Sequence, residues 1–250
     1  MKNVKRVYHL LMQPSTKQKI LTFFLLLALY IACVSAPPYG TGVQRDLFLA
    51  LYRAIFCIVA ILLLAYEKHR LPGFKLSFFC FLFVPAFFGN LISLLFFHSN
   101  EIYFDGIALL ASTLSMLLAS IAEEILFRYV LFDLLEGKMR PIFKILISAG
   151  AFALIHLLNL LSGMNPLEVL AQIGYAFFLG LICGLVHHEE GFYQSVFIHF
   201  AFNFLQTSLY LALGGGIWDI SFFVANIACG LFGIAVWIII AIRRRLLIRK

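Results

Sequence analysis

The 250-residue chain is short of charge: Asp, Glu, Lys and Arg make up 12% of it, against about 25% in soluble globular domains. With 63% of residues hydrophobic and a mean hydropathy of +0.99, that scarcity excludes a soluble enzyme. Alternation is missing too. The apolar runs are apolar at both parities, which excludes a lipid-facing β-barrel, whose strands alternate polar and apolar residues. Cysteine supplies no framework: Cys33, Cys57, Cys80, Cys183 and Cys229 contain no CxxC pair and read as small core residues, not as disulfides or a zinc ribbon. The HExxH signature is absent as well, since His188 and Glu189 begin such a string but Phe192 stands in place of the second histidine. There is no long internal repeat, no low-complexity linker and no connection long enough for a soluble domain. Residues 1–250 therefore read as a single integral membrane domain.

What is present is a series of apolar stretches near the length of about 20 residues that crosses a bilayer as a helix. They are Ile20–Ser35, Leu47–Tyr66, Leu76–Phe97, Ile107–Phe132, Ile142–Leu161, Leu167–Val186, Phe192–Leu213 and Ile220–Ile242. The expected fold class is all-α, a polytopic membrane protein of about eight transmembrane helices enclosing an intramembrane catalytic chamber. Val34-Ser35-Ala36 resembles a processing site, but Pro37 and Pro38 follow it, so the first stretch reads as a retained helix. Basic residues mark one side: Lys2, Lys5, Arg6, Lys17 and Lys19 precede the first span, and Lys68, Arg70 and Lys75 follow the second. Lys138, Arg140 and Lys144 follow the fourth span, and Arg243, Arg244, Arg245, Arg249 and Lys250 follow the eighth. The opposite loops carry acids and essentially Arg45 alone. Both termini are thus expected in the cytoplasm, with the plasma membrane as the location if the source is bacterial. The formal charge of +7 is accounted for by topology and anionic-lipid contact, leaving no case for nucleic-acid binding.

Ionisable groups inside spans are costly and mark function. The fourth span holds Ala122-Glu123-Glu124-Ile125-Leu126-Phe127-Arg128. Glu124 and Arg128, four apart, are expected to pair on one face, while Glu123 points about 100° away and stays available. Two adjacent carboxylates in low dielectric do not both ionise cheaply, so Arg128 is expected to keep one charged while the other exchanges a proton. The bland reading is a structural Glu-Arg clasp. In the fifth span Phe152 and His156 share a helix face, with Asn159 three residues on, and in the seventh His199 and Asn203 do the same. Either histidine alone reads as a core group bonded to a carbonyl, to Asn159 or to a neighbouring helix. Depth argues otherwise. Counted from the basic boundaries, Glu123, His156 and His199 lie roughly 15, 18 and 13.5 Å deep, a common plane that places the chamber in the cytoplasmic half.

These residues resemble the CAAX prenyl protease and bacteriocin-processing (CPBP, or Abi) family of intramembrane proteases, whose motifs are EExxxR, FxxxH and HxxxN. All three stand here in order, as Glu123, Glu124 and Arg128, then Phe152 and His156, then His199 and Asn203, within a motif-bearing core of about 107–213. The resemblance implies peptide hydrolysis without a covalent intermediate. Glu123 and His156 would activate water, His199 and Asn203 would stabilise the oxyanion, and Glu124, Arg128 and Phe152 would support them. The chemistry needs such a base and such donors. It implies no cofactor, a peptide or membrane-protein substrate, and membrane lipid as surroundings.

Other readings of the same residues stay open. Glu123, His156 and His199 are also a plausible three-ligand zinc set, although Arg128 nearby disfavours a dication. Ser195, one turn before His199, makes a Ser-His pair imaginable. The pocket could serve a non-catalytic membrane scaffold or a bacteriocin self-immunity protein, and intramembrane acids also occur in proton-coupled transporters. His187, His188, Glu189 and Glu190 read as a hydrated cytoplasmic turn. Gly180 and Gly184 read as a helix-packing GxxxG pair, Gly214-Gly215-Gly216 as the end of the seventh helix, and the phenylalanines as lipid-facing bulk.

Overall fold

The structure, a computed structural model, describes residues 14–35, 42–66, 104–161, 163–213 and 220–248. They form helices, with no strand among the described residues: α1 Thr16–Ser35, α2 Val43–Tyr66, α3 Gly106–Leu135, α4 Pro141–Leu160 and α5 Pro166–Glu190. Then come α6, which runs from Phe192–Asn203 through Phe204–Ser208 to Leu209–Ala212, and α7, Ile220–Ile248. Helices α1 to α5 are 5 helices long and apolar enough to cross a membrane. The chain is an all-α polytopic membrane protein. The third apolar stretch, Leu76–Phe97, and the Gly214–Gly216 turn lie outside the described residues.

Local sequence explains the helix ends. Ser15 and Gln18 form a reciprocal cap, Ser15 N–H donating to Gln18 Oε1 at 2.7 Å and Gln18 N–H to Ser15 Oγ at 3.3 Å. Asp105 accepts from the amides of Ile107 and Ala108 at 3.0 and 2.9 Å, and Asn165 accepts from Leu167 at 2.9 Å, satisfying N–H groups that a helix start leaves orphaned. Pro141 and Pro166 occupy first helical positions, where a missing N–H costs nothing. Gly191, at φ 108°, separates α5 from α6 in a conformation that only glycine adopts readily. The expected turn at His187–Glu190 is therefore corrected. These residues are the last turn of α5: His188 and Glu189 are exposed, whereas His187 turns inward to meet the Phe132 ring edge-on at 5.0 Å.

Helix α5 is the central member, packed on α4, α6 and α7. Gly180 lets it approach closely, since a Cβ there would sit 3.0 Å from Ala149 Cα, and one at Gly184 would sit 3.1 Å from Ile145 Cγ2. The GxxxG pair is thus a packing device between α5 and α4. Phenylalanine divides between two solvents. Phe24 and Phe143 are exposed, as lipid-facing bulk would be, but Phe56, Phe127 and Phe152 are fully buried and fill the core around the polar residues. One end of the bundle is closed by ion pairs, Lys19 Nζ to Asp133 Oδ2 at 2.8 Å and Lys144 to Glu136. At the other end the Asp105 amide donates to the Ala212 carbonyl at 2.9 Å.

Three helices leave α geometry, each beside a motif. Residues Ile125–Val130 are π-helical directly after Glu124, Ile155–Leu160 are 3₁₀ and contain His156, and Phe204–Ser208 are π-helical directly after Asn203. Such interruptions concentrate at functional sites because they re-aim side chains that a straight helix would stack.

Candidate active site

Helices α1 to α6 surround a cavity of about 210 Å³ whose lining includes Glu123, His156, His199 and Asn203. The sequence-predicted residues therefore share one chamber wall, and Phe152 lines it too. Glu123, His156 and His199 share one level of the bundle, and the chamber lies to one side of the layer formed by Glu124, Arg128 and Phe152. From α3 the chamber takes Met116, Ala119 and Glu123, and from α4 it takes Phe152 onward, so it extends away from the end that carries Lys19 and Lys144. On that side of the chamber Phe127, Phe152 and Arg128 are fully buried. Helical depth fixes the level of a Cβ, not the side of the motif layer on which space remains.

The two carboxylates have different partners, as the helix geometry implies. Glu124 is 0% exposed and lies 3.4 Å from Arg128 Nε. It also accepts from the Ser195 hydroxyl and faces His199 Nδ1 at 3.0 Å. Arg128, itself 0% exposed, donates from Nη2 to the Gly180 carbonyl at 3.1 Å. Its Cζ stacks 4.7 Å above the Phe152 ring. Glu123 instead faces the chamber. Its Oε1 accepts from the Tyr30 hydroxyl at 2.5 Å and its Oε2 lies 3.4 Å from His199 Nε2. His199 thus bridges both acids.

Phe152 orients the rings. It meets His156 and His199 edge-on, each at 5.3 Å between centroids. His156 Nδ1 lies 3.0 Å from the Phe152 carbonyl, and a carbonyl only accepts, so the proton sits on Nδ1 and Nε2 carries the lone pair in the neutral ring. Asn159 does not bond His156; its amide donates to Gln172 Oε1 at 2.7 Å. Asn203 donates one amide hydrogen to Ser120 Oγ at 3.0 Å, and an amide carries two. Ser195 is fully buried with its hydroxyl on Glu124, so it acts there as a donor to a carboxylate and is not a lining residue of the chamber.

Metal-capable groups converge elsewhere than the sequence suggested. Among the described residues, Glu124, Cys183 and His199 bring ligand atoms within 4.8 Å of one another. The donor chemistry fits a cation poorly. Arg128, Ser195 and His199 already surround the Glu124 oxygens, and a dication there would sit beside a buried guanidinium.

Tyr30 and Arg53 are among the lining residues that sequence reasoning missed. Tyr30 is 4% exposed and comes from α1, distant in sequence from every motif. Its phenol in the middle of an apolar span was the available signal. Arg53, inside the second span, is an intramembrane cation of the kind that marks function.

Residues 105–205 match the family model described as Type II CAAX prenyl endopeptidase Rce1-like. No curated protein matches the chain. The matched segment begins at the Asp105 cap of α3 and ends two residues after Asn203, so it contains every motif residue described above. That segment is similar to the Rce1-like type II CAAX prenyl endopeptidases.

Proposed function

We propose that the chain is an intramembrane endopeptidase that hydrolyses a peptide bond with water activated by Glu123 and His156. The observation that carries this reading is the chamber wall itself, where Glu123 is held between Tyr30 and His199 and the unprotonated Nε2 of His156 follows from its bond to Phe152. Water placed between them has two acceptors for its hydrogens. As its oxygen attacks the scissile carbonyl carbon, Glu123 takes a proton, and the carbonyl oxygen becomes an oxyanion. Asn203 supplies its second amide hydrogen to that oxygen, and His199 supplies Nε2–H. Glu124, acceptor-only beside Arg128, holds the proton on His199 Nδ1, so a second proton on Nε2 leaves the buried group of Glu123, Glu124, Arg128 and His199 neutral overall. Collapse breaks the C–N bond, and the proton on Glu123 goes to the leaving amine. The products are a carboxylic acid, which releases its proton to water to become a carboxylate, and an amine, with no covalent enzyme intermediate and no step routed through a metal.

This site belongs to a single membrane domain spanning 1–250, with both termini cytoplasmic and the Lys19 and Lys144 end facing inward. The chamber then widens toward the opposite leaflet, and the substrate is a peptide or membrane protein. The test is cleavage of a mixed peptide library by the detergent-purified protein, read by mass spectrometry. Products lost in Glu123→Gln and resistant to a chelator are expected. Chelator loss reversed by zinc would replace the glutamate-water mechanism with a metal one, and identical profiles for wild type and Glu123→Gln would point to a non-catalytic scaffold.

A further inference from the structure

A second cavity, of about 380 Å³, lies at the basic end of the bundle and is lined in part by Arg128, Phe132, Lys144, His187 and His188. Its volume falls in the range of small-molecule sites, about 300–1,000 Å³. Two residues of its wall keep polar atoms unused. Arg128 is 0% exposed, with Nε facing Glu124 at 3.4 Å and Nη2 on the Gly180 carbonyl, while its Nη1 is buried with no hydrogen-bond partner among the described residues. His187 Nδ1 is in the same condition. Buried polar groups are paired as a rule, because leaving one unpaired forfeits its solvation with nothing in return, so two orphans on one cavity wall point to a ligand.

Charge selects the kind of ligand. Both carboxylates on the cavity wall are already matched, Asp133 by Lys19 at 2.8 Å and Glu136 by Lys144. The groups left over are donors: the two hydrogens of Arg128 Nη1, the His187 imidazole, and the Lys144 ammonium with its three hydrogens. A ligand that brings acceptors and negative charge completes them. Arg128, His187 and Lys144 stand on α3, α5 and α4, and a tetrahedral phosphate offers oxygens in three directions, whereas the two oxygens of a carboxylate lie in one plane. Under the proposed topology this end faces the cytoplasmic leaflet, where basic residues gather anionic headgroups, and Lys138 and Arg140 are exposed in the turn between Glu136 and Lys144.

We propose that the cavity at the basic end is a phosphate-binding site in which Arg128 Nη1 and His187 Nδ1 hold the phosphate oxygens. The phosphate comes either from the diester of a lipid headgroup or from free phosphate, and both sources offer the same acceptors. The site stands back to back with the chamber. Its ligand completes the hydrogen bonding of the guanidinium that pairs with Glu124, and so stabilises the layer of Glu124, Arg128 and Phe152 from behind whether or not the chamber hydrolyses peptides. A purely structural Arg128, content with Glu124 and the Phe152 ring, would be indifferent to phosphate.

The experiment uses the full chain, delipidated in a maltoside detergent, with dioleoyl phosphatidylglycerol, dioleoylglycerol and inorganic phosphate as probes, and follows melting temperature across a titration. A phosphate-bearing probe at about a hundredfold excess over its Kd is expected to raise the melting temperature by roughly 5–10 °C, and dioleoylglycerol, with the same chains and no phosphate, is expected to leave it unchanged. His187→Phe, which keeps an aromatic edge against Phe132, is expected to bind at least about tenfold more weakly. Arg128→Lys, which keeps a cation for Glu124 and lacks Nη1, is expected to do the same, and His187→Phe decides the matter if Arg128→Lys does not fold. Lys138→Gln combined with Arg140→Gln, outside the cavity wall, is expected to bind as the wild type does. A rise with the lipid alone assigns the site to a headgroup; an equal rise with inorganic phosphate assigns it to free phosphate. No rise with either phosphate probe, an equal rise with dioleoylglycerol, or unchanged affinity in a folded His187→Phe protein overturns the proposal. So does a loss of binding confined to the Lys138 and Arg140 variant, which would place the attraction on the open surface.

Discussion

The layer of Glu124, Arg128 and Phe152 separates two cavities with similar residue types and different wiring. On one side is the chamber of Glu123, His156, His199 and Asn203. On the other, a cavity of about 380 Å³ at the basic end is lined by Tyr129, Asp133, Glu136, Lys144 and His187. At the basic end the charges clasp neighbouring helix ends, Lys19 with Asp133 and Lys144 with Glu136. In the chamber they converge on one point of space instead, with His199 touching two carboxylates, and the cation Arg53 donates to the Ser115 carbonyl and hydroxyl. Charge pairing that satisfies every member builds structure, whereas pairing that leaves a lone pair or an N–H pointing into a cavity builds chemistry.

The comparison breaks most visibly at Glu123. Glu123→Gln keeps the shape and removes the base, and a loss of roughly 10²–10⁴ in kcat is expected, read by product formation with the protein level unchanged. Asn203→Ala removes an oxyanion donor, and kcat is expected to fall by about 10²–10³ with little change in thermal stability. Arg128→Met tests the dividing layer. It leaves Glu124 buried without its cation, at a cost of about 3–5 kcal/mol, so the expected readout is a large drop in melting temperature in detergent, with activity lost as a consequence. Retained stability would mean that the layer belongs to the chemistry more than to the fold.

Smaller effects sharpen the contrast. Tyr30→Phe removes one hydrogen bond to Glu123, about 1.5–3 kcal/mol for a charged acceptor, so kcat/KM is expected to fall roughly tenfold or more while folding is kept. At the basic end Lys144→Met is expected to cost under about 1 kcal/mol and to leave kcat unchanged. There the hydrogen bond from Lys144 holds the Glu136 carboxyl below its ordinary 4.5, against the opposing effect of partial burial. A lowered carboxyl contributes stability above the ordinary value and loses it as pH falls through the folded one. Wild type should therefore lose a small increment of stability below about pH 4.5 that Lys144→Met lacks, measurable by melting across that range.

How much of this was legible in the sequence depends on the kind of fact. Span positions followed from hydropathy, because lipid demands satisfied backbone and apolar surface. The EExxxR, FxxxH and HxxxN residues could be brought to one level because helical rise is nearly constant. The split between Glu123 and Glu124 followed from their angular separation. Tyr30 could not be found this way: its meeting with Glu123 depends on how α1 leans on α3, which no local pattern encodes. Arg53 was visible as a charge inside a span, yet a count of loop charges passes over it. The side on which the chamber opens depends on where Phe127 and Phe152 fill space, a property of tertiary packing. His187 was read as part of a polar string although α5 continues through it, and continuation turns His187 inward while His188 and Glu189 stay exposed.

The π-turn at Ile125–Val130 makes α3 two helices in different phase. An α-helix advances about 100° per residue, and a π-turn accommodates one residue more than the regular cycle. Straightening that turn into α geometry with every residue kept would make everything after it, including Phe132 against His187 and Asp133 against Lys19, arrive rotated by about that angle. The interruption therefore acts as a phase adjuster. It lets Glu123 and Glu124 keep their heading toward α6 while the remainder of the helix keeps an independent heading toward α1 and α5, so the two halves of one span can drift apart in sequence without disturbing each other's alignment.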